Sequence, residues 1–142
     1  MGFLIDTNVL SEMRKQARAN ANVLQWAARN RASDLFLSAL VIGEIRRGIE
    51  GVRARDPVQA GSLDTWLSTV VASFGPRILP ITVEIADAWG RLSVPDRLPE
   101  VDGLLAATAI VHNHILVTRN TRDVARTSAR LFNPFDEPSP EP

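Results

Sequence analysis

The sequence predicts an α/β fold with a central parallel sheet covered by helices on both faces. Short apolar runs recur at Phe3-Leu4-Ile5, Leu35-Phe36-Leu37, Ile78-Leu79-Pro80-Ile81 and Ile115-Leu116-Val117. Segments of helical periodicity separate them, and strands alternating with helices pair in parallel, because parallel neighbours need a crossover between them. The runs are apolar at consecutive positions rather than alternate ones, as in a sheet buried on both faces.

Taken in order, Phe3–Ile5 is the first strand, ending at Asp6, and Val9, Leu10 and Met13 turn the pattern helical to about Lys15. Gln16–Asn20 reads as a polar hinge. A second helix runs from Asn22 to Asn30, with Trp26 directed to the core. After the strand Leu35–Leu37, Val41, Ile45, Ile49 and Val52 form an apolar stripe from Ala39 to Arg53. Glu44 lies at its edge, and Arg46 and Arg47 face away. Ala54–Ser62, with Pro57 and Gly61, reads as a loop, followed by a helix over Leu63–Ser73 that Gly75-Pro76 ends. Arg77–Ile81 is the third strand. Thr82 is placed to cap a helix carrying Ile85, Ala86, Trp89 and Leu92, and Pro95–Pro99 is a loop. Asp102 opens a nearly uncharged, hence buried, helix to Val111. Ile115–Thr118 is the fourth strand, Arg119–Asp123 a polar loop, and Arg130–Phe132 a short fifth strand. Residues 1–135 read as one domain. The tail, 136–142, is rich in proline and acids and is expected to be disordered.

Composition narrows the function. A chain of 142 residues, 45% hydrophobic and 23% charged, has the composition of a soluble globular domain. Without cysteine there is no disulfide, thiol nucleophile or thiolate metal site, which is compatible with a cytoplasmic protein. No apolar run is long enough to span a bilayer, and Asp6 comes too early for a signal peptide, so no membrane association is expected. With 16 basic and 16 acidic residues the net charge is zero, so a polyanionic partner has to be held by local patches rather than by bulk charge.

Chemistry concentrates in four acids. Asp6 stands at the end of the first strand, where open α/β sheets bind ligands. Glu44 sits beside an apolar stripe instead of on the solvent face. Asp102 heads the buried helix, whose small residues Ala106 and Ala109 allow it to lie close to the sheet. Asp123 follows the fourth strand. Each has a plain structural explanation: Asp6 and Asp102 as helix caps, Glu44 as an edge residue, Asp123 as a solvated charge. Several carboxylates in one crevice repel one another unless a cation is present, and oxygen ligands suit Mg²⁺ or Mn²⁺. His112 and His114 do not share the acids' spacing and are read as structural.

IDTNVLSE at the start, IGEIRRG around Glu44, VDGLLAATA around Asp102 and VTRNTRDV around Asp123 resemble the PIN-domain family, in particular its VapC and FitB-like toxins. Phe132-Asn133-Pro134-Phe135 resembles the ending of the FitB-like branch. The resemblance spans about residues 3 to 135. It implies a three-layer fold with strand order 3-2-1-4-5 and a metal-dependent ribonuclease of a toxin–antitoxin pair, leaving 5′-phosphate and 3′-hydroxyl ends. It implies Asp6, Glu44, Asp102 and Asp123 as the catalytic quartet. Asp6, Asp102 and Asp123 would be the Mg²⁺ ligands (Mn²⁺ substituting), with Thr7, Asn8 and Thr118 in support. Expected partners are RNA, a small DNA-binding antitoxin with a basic inhibitory segment, and a second copy of the chain. Candidate contacts to the RNA backbone are Arg14, Arg46, Arg47, Arg119 and Arg122.

Two other readings compete. A haloacid-dehalogenase-type phosphatase also carries an aspartate after the first strand, but needs a second one two residues on, where this chain has Asn8. A non-catalytic binding module would use the acidic pocket to dock a basic segment, and metal-dependent RNA cleavage separates that reading from a nuclease.

Overall fold

The computed structural model describes residues 2–136. Its five strands are β1 (Phe3–Ile5), β2 (Leu35–Ser38), β3 (Ile78–Leu79), β4 (Ile115–Val117) and β5 (Leu131–Phe132), all parallel, in the order β3-β2-β1-β4-β5. The helices are α1 (Thr7–Met13), α2 (Ala21–Arg29), α3 (Ala39–Arg53), α4 (Pro57–Phe74), α5 (Val83–Leu92), α6 (Glu100–His112) and α7 (Thr121–Val124). The expected fold class and strand order are those observed.

From β1 the chain steps outward to β2 and β3, then returns across the sheet to β4 and β5. Because such crossovers are right-handed, this reversal puts α1–α4 on one face and α5–α7 on the other. The packing agrees: α1 meets α2 and α3, α3 meets α4, α5 meets α6, and α6 meets α7, β1 and β4. The reversal also makes the C-terminal ends of β1 and β4 the switch point of the sheet. Leu4, Ile5, Leu37, Leu116 and Val117 are fully or almost fully buried, as a sheet covered on both faces requires. Trp26 is in the core as expected, edge-on to Phe3 at 5.6 Å between ring centres.

Four expectations need correction. Residues 57–62 are helix, not loop: Asp56 caps α4 by accepting from the Gln59 amide at 3.0 Å, and Pro57 takes a first-turn position where its missing N–H goes unnoticed. The third strand is only Ile78–Leu79, because Arg77 belongs to a 3₁₀ turn and Pro80 has no amide to extend the ladder. Arg77 instead donates to the carbonyls of Ala32, Leu35 and Ser73, tying the start of β2 to the end of α4. Asp102 does not open its helix: α6 starts at Glu100, with Pro99 at the cap position. Asp123 lies in α7 rather than in a loop.

α6 ends at Asn113, whose left-handed backbone (φ 56°) is tolerated by asparagine and closes the helix. His114 then stacks on Phe36 at 4.4 Å, at the end of the sheet opposite the acids, in keeping with a structural role. Burial and neighbouring His112 hold its pKa below the usual histidine range. The expectation of a disordered tail falls on residues 137–142, outside the described residues, except at Asp136. That residue lies in a turn and its carbonyl accepts from the Asn22 side chain at 2.8 Å.

Candidate active site at the switch point

Asp6 follows the last residue of β1 and is 5% exposed. One carboxylate oxygen accepts the Thr7 backbone amide at 2.7 Å, so Asp6 does cap α1. The other accepts the Thr118 hydroxyl at 2.7 Å and the Asn8 side-chain amide at 3.4 Å. Capping and a site role are therefore not alternatives, because they use different oxygens. Thr118 is 1% exposed and directly follows β4. Its hydroxyl also accepts the Asn120 amide at 3.0 Å, and the Asn8 side-chain oxygen Oδ1 accepts the Arg119 backbone amide at 3.2 Å. These bonds tie the ends of β1 and β4 together beneath the carboxylate. Hydrogen bonds to an ionised oxygen are the strong kind, so this network fixes the direction of Asp6.

Glu44 lies in the second turn of α3, which Ser38 starts by accepting the Leu40 amide at 3.1 Å. Thr7 donates its hydroxyl to Glu44 at 2.6 Å, joining the α1 start to α3. Asp102 sits in the first turn of α6, where close packing of two helices puts it. A side chain at Gly103 would bring its Cβ to 3.0 Å from the Trp89 ring and 3.2 Å from Leu98 Cβ, so the glycine lets α6 lie this close to α5 without displacing either neighbour. The carboxyl of Asp102 is pushed up to about 6, first by burial and then by the charges of Asp6, Asp123 and Glu44. The quartet thus shares one electrostatic field. Asp123, exposed on α7, stands at its outer edge.

The candidate arginines divide. Arg46 is bound into an ion-pair cluster, 2.6 Å from Asp64 and 3.1 Å from Glu50, with Arg53 on the same two acids. It stitches α3 to α4, so its guanidinium is already engaged by two carboxylates. Arg47 is exposed and lines a groove with Glu44, Leu40 and Val101. Arg119 lays its guanidinium 4.4 Å from the centre of the Phe135 ring. Arg122 is exposed on α7. Arg14 stands 5.8 Å from the Trp66 ring centre, at a groove that also reaches Glu44 and Thr7.

A hard divalent cation suits this donor chemistry. All four groups are carboxylates, and among the described residues none of the ion pairs involves any of them. The pKa of Asp102 is raised first by its burial, and the charges of Asp6, Asp123 and Glu44 add to it, so a bound cation would relieve part of the penalty. Among the described residues no three or more such side chains are gathered tightly enough to hold a metal as they stand. Mg²⁺ commonly binds through one or two carboxylates and keeps several waters, so a closed three-ligand cage is not required.

The groove beside Trp66 went unseen in the sequence. Trp66 falls on the apolar side of α4, and periodicity cannot distinguish a core position from one lining a concavity. The role of Gly103 was equally hidden, since a glycine's neighbours are tertiary.

The PIN domain matches residues 3–129. A VapC ribonuclease of Sinorhizobium fredii is 27% identical over an alignment of 141 positions, covering 94% of this chain and 98% of that relative. Toxin FitB of Neisseria gonorrhoeae is 27% identical, covering 95% and 99%. Among solved structures, FitAcB from Neisseria gonorrhoeae superposes with a TM-score of 0.84 at 27% identity over 94% of this chain and 99% of that one. The strand order, the acids at the switch point and a match over most of the chain agree: this protein belongs to the PIN-domain family.

Proposed function

We propose that this protein is a divalent-metal-dependent ribonuclease acting as the toxin of a toxin–antitoxin pair. The observation that carries the reading is the gathering of four acids at the switch point, where the fields of Asp6, Asp123 and Glu44 all reach Asp102. Relatives named VapC ribonuclease and toxin FitB support the substrate and the biological role.

Asp6 and Asp102 would hold the ion, Mg²⁺ or Mn²⁺, with Asp123 as a further ligand. When bound, the ion polarises the phosphoryl group and makes water a nucleophile near neutral pH. The rest falls to the chain. Thr118 and Asn8 keep the Asp6 carboxylate turned into the crevice, and Thr7 holds Glu44 by one oxygen, leaving the other to orient the attacking water. Arg47, Arg119 and Arg122, exposed on nearby elements, supply cations for the RNA backbone. The same acids would receive the basic side chain of an inhibitory antitoxin, and the toxin would act as a homodimer.

Cleavage of single-stranded RNA with Mg²⁺, with Mn²⁺ and in excess chelator tests the mechanism. Cleavage with either ion and none in chelator is expected. Undiminished cleavage by demonstrably metal-free protein overturns it. No cleavage under any condition, with tight binding of a basic peptide, favours the binding-module reading.

A further inference from the structure

Arg119 directly follows Thr118, whose hydroxyl holds the Asp6 carboxylate, and its own backbone amide donates to Asn8 Oδ1 at 3.2 Å. The amide nitrogen of the same Asn8 side chain reaches that carboxylate at 3.4 Å. The backbone of Arg119 is thus tied to the rim of the acidic crevice. Its exposed side chain makes no hydrogen bond or ion pair among the described residues. The Glu12 carboxylate, close enough to feel its charge, is already taken by Lys15 and the Asn20 amide. Nor is Arg119 among the charges that act on Asp102, so the guanidinium does not fill the crevice beside it.

What the guanidinium does have is the Phe135 ring, 4.4 Å away at its centre. That ring is fixed in turn. Phe135 is half-buried against the core, its amide donates to Asn133 Oδ1 at 2.9 Å, and its carbonyl accepts from the Asn22 side chain at 2.9 Å. An arginine loses much rotamer freedom when it binds, and a ring that already holds it removes part of that cost. The ring attracts the cation through its π face and takes up none of the N–H donors in a hydrogen bond to oxygen. A cation held with its donors unspent suits a phosphate, which accepts two of them at once. At the rim it also offsets the repulsion that a phosphodiester meets on approaching four carboxylates. A protein carboxylate fits the same fork, but it has no reason to lie beside a centre that cuts phosphodiesters.

We propose that Phe135 is a positioning residue: its ring holds Arg119 at the rim of the crevice, where the guanidinium takes an RNA backbone phosphate next to the one that is cut. The proposal rests on the ribonuclease reading and ranks the exposed arginines within it. Among the described residues neither Arg47 nor Arg122 stands over an aromatic ring, so Arg119 is the one of the three set in place beforehand. The plain alternative is that Phe135 only anchors residues 133–136 on the core.

Binding of a fluorescent single-stranded oligoribonucleotide to the full chain, followed by anisotropy in chelator over a range of salt, separates the two. Arg119→Gln should weaken binding and lower the slope of log Kd against log salt by about 0.7, the release expected for one phosphate. Phe135→Leu keeps an apolar anchor without a π face and should weaken binding about two- to fivefold. Phe135→Trp, whose ring holds a cation better, should bind at least as tightly as the parent. Added to Arg119→Gln, Phe135→Leu should cost nothing further. With Mg²⁺, each weakening should appear in KM and leave kcat unchanged.

An equal further loss when Phe135→Leu is added to Arg119→Gln shows that the ring serves the fold rather than Arg119, and overturns the proposal. Parent-like affinity in Phe135→Leu or in Arg119→Gln overturns it as well. So does weaker binding by Phe135→Trp, which carries the test if Phe135→Leu does not fold. A parent that binds a polyglutamate peptide but no RNA overturns it in favour of an acidic protein partner. Parent-like binding by both variants of a protein that cleaves RNA removes the positioning role and leaves the ribonuclease reading intact. The expected losses in a protein that binds RNA but cleaves none sustain the role of Phe135 and remove the ribonuclease reading instead.

Discussion

Replacing Asp102 with Asn tests the acidic crevice without assuming a substrate. In the folded chain the Asp102 carboxyl titrates at about 6, against about 3.9 in an unfolded chain. At about 1.4 kcal/mol per pH unit, the ionised group costs the fold at most about 3 kcal/mol. Its partial exposure to water reduces this to about 1–2 kcal/mol. Between pH about 4 and about 6 the folded state keeps a proton that the unfolded state has released. Stability therefore falls as pH rises through that window, and the whole penalty is present above it.

Asparagine abolishes the slope. It also loses the favourable interaction of an acid with the first turn of α6, about 0.3–1 kcal/mol. The net gain is about 0.5–1.5 kcal/mol at pH 7.5. For a chain of this size that is a rise of roughly 2–5 °C in melting temperature in chelator, and no gain below about pH 4. Added Mg²⁺ should stabilise the parent more than the variant and so narrow the difference. Thermal melts at pH 4 and pH 7.5, with and without Mg²⁺, decide it. Equal melting temperatures at both pH values, with equal responses to the metal, would falsify the raised pKa of Asp102 and its place at the metal. A capping role makes no such pH-dependent prediction, and Pro99 already holds the cap position.

Three further outcomes follow from the surrounding contacts. Thr118→Val removes the hydroxyl that Asp6 and the Asn120 amide share, and should cost about 1–3 kcal/mol in urea unfolding. Thr118→Ser should recover most of that, and equal losses in the two would assign the effect to packing instead. Gly103→Ala puts a Cβ 3.0 Å from the Trp89 ring and 3.2 Å from Leu98 Cβ, so these neighbours must shift by a few tenths of an ångström. That offsets the roughly 0.5–1 kcal/mol that alanine gains over glycine inside a helix and leaves net stability little changed. Because the shift enters beside Asp102, it should weaken the Mg²⁺-induced rise in melting temperature, and an undiminished metal response would detach Gly103 from the site. Arg46→Ala should lower the melting temperature at low salt more than at high salt and leave RNA cleavage unchanged, since its guanidinium is held by Asp64 and Glu50. A specific loss of cleavage would place Arg46 on the RNA-contacting surface.

The same contacts explain which parts of this molecule a sequence exposes. Residues 39–53 were bounded correctly because one period governs them, with Val41, Ile45 and Ile49 all buried. Residues 57–62 read as loop in the sequence because Pro57 and Gly61 carry opposite meanings in a loop and in the early turns of a helix. Only the Asp56 cap, a local hydrogen bond, settles which applies. Asp6 was legible as a strand end, but its partner Thr118 lies 112 positions away, and it was the resemblance of VTRNTRDV, not any period, that connected them. Trp66 marks where such reading stops. Its spacing in α4 is that of a core residue, yet it walls a groove together with Thr7, Ser11, Arg14 and Glu44 from two other helices. A concavity is made by what two helices leave out where they face each other. A period, which records only what each helix contains, does not encode it.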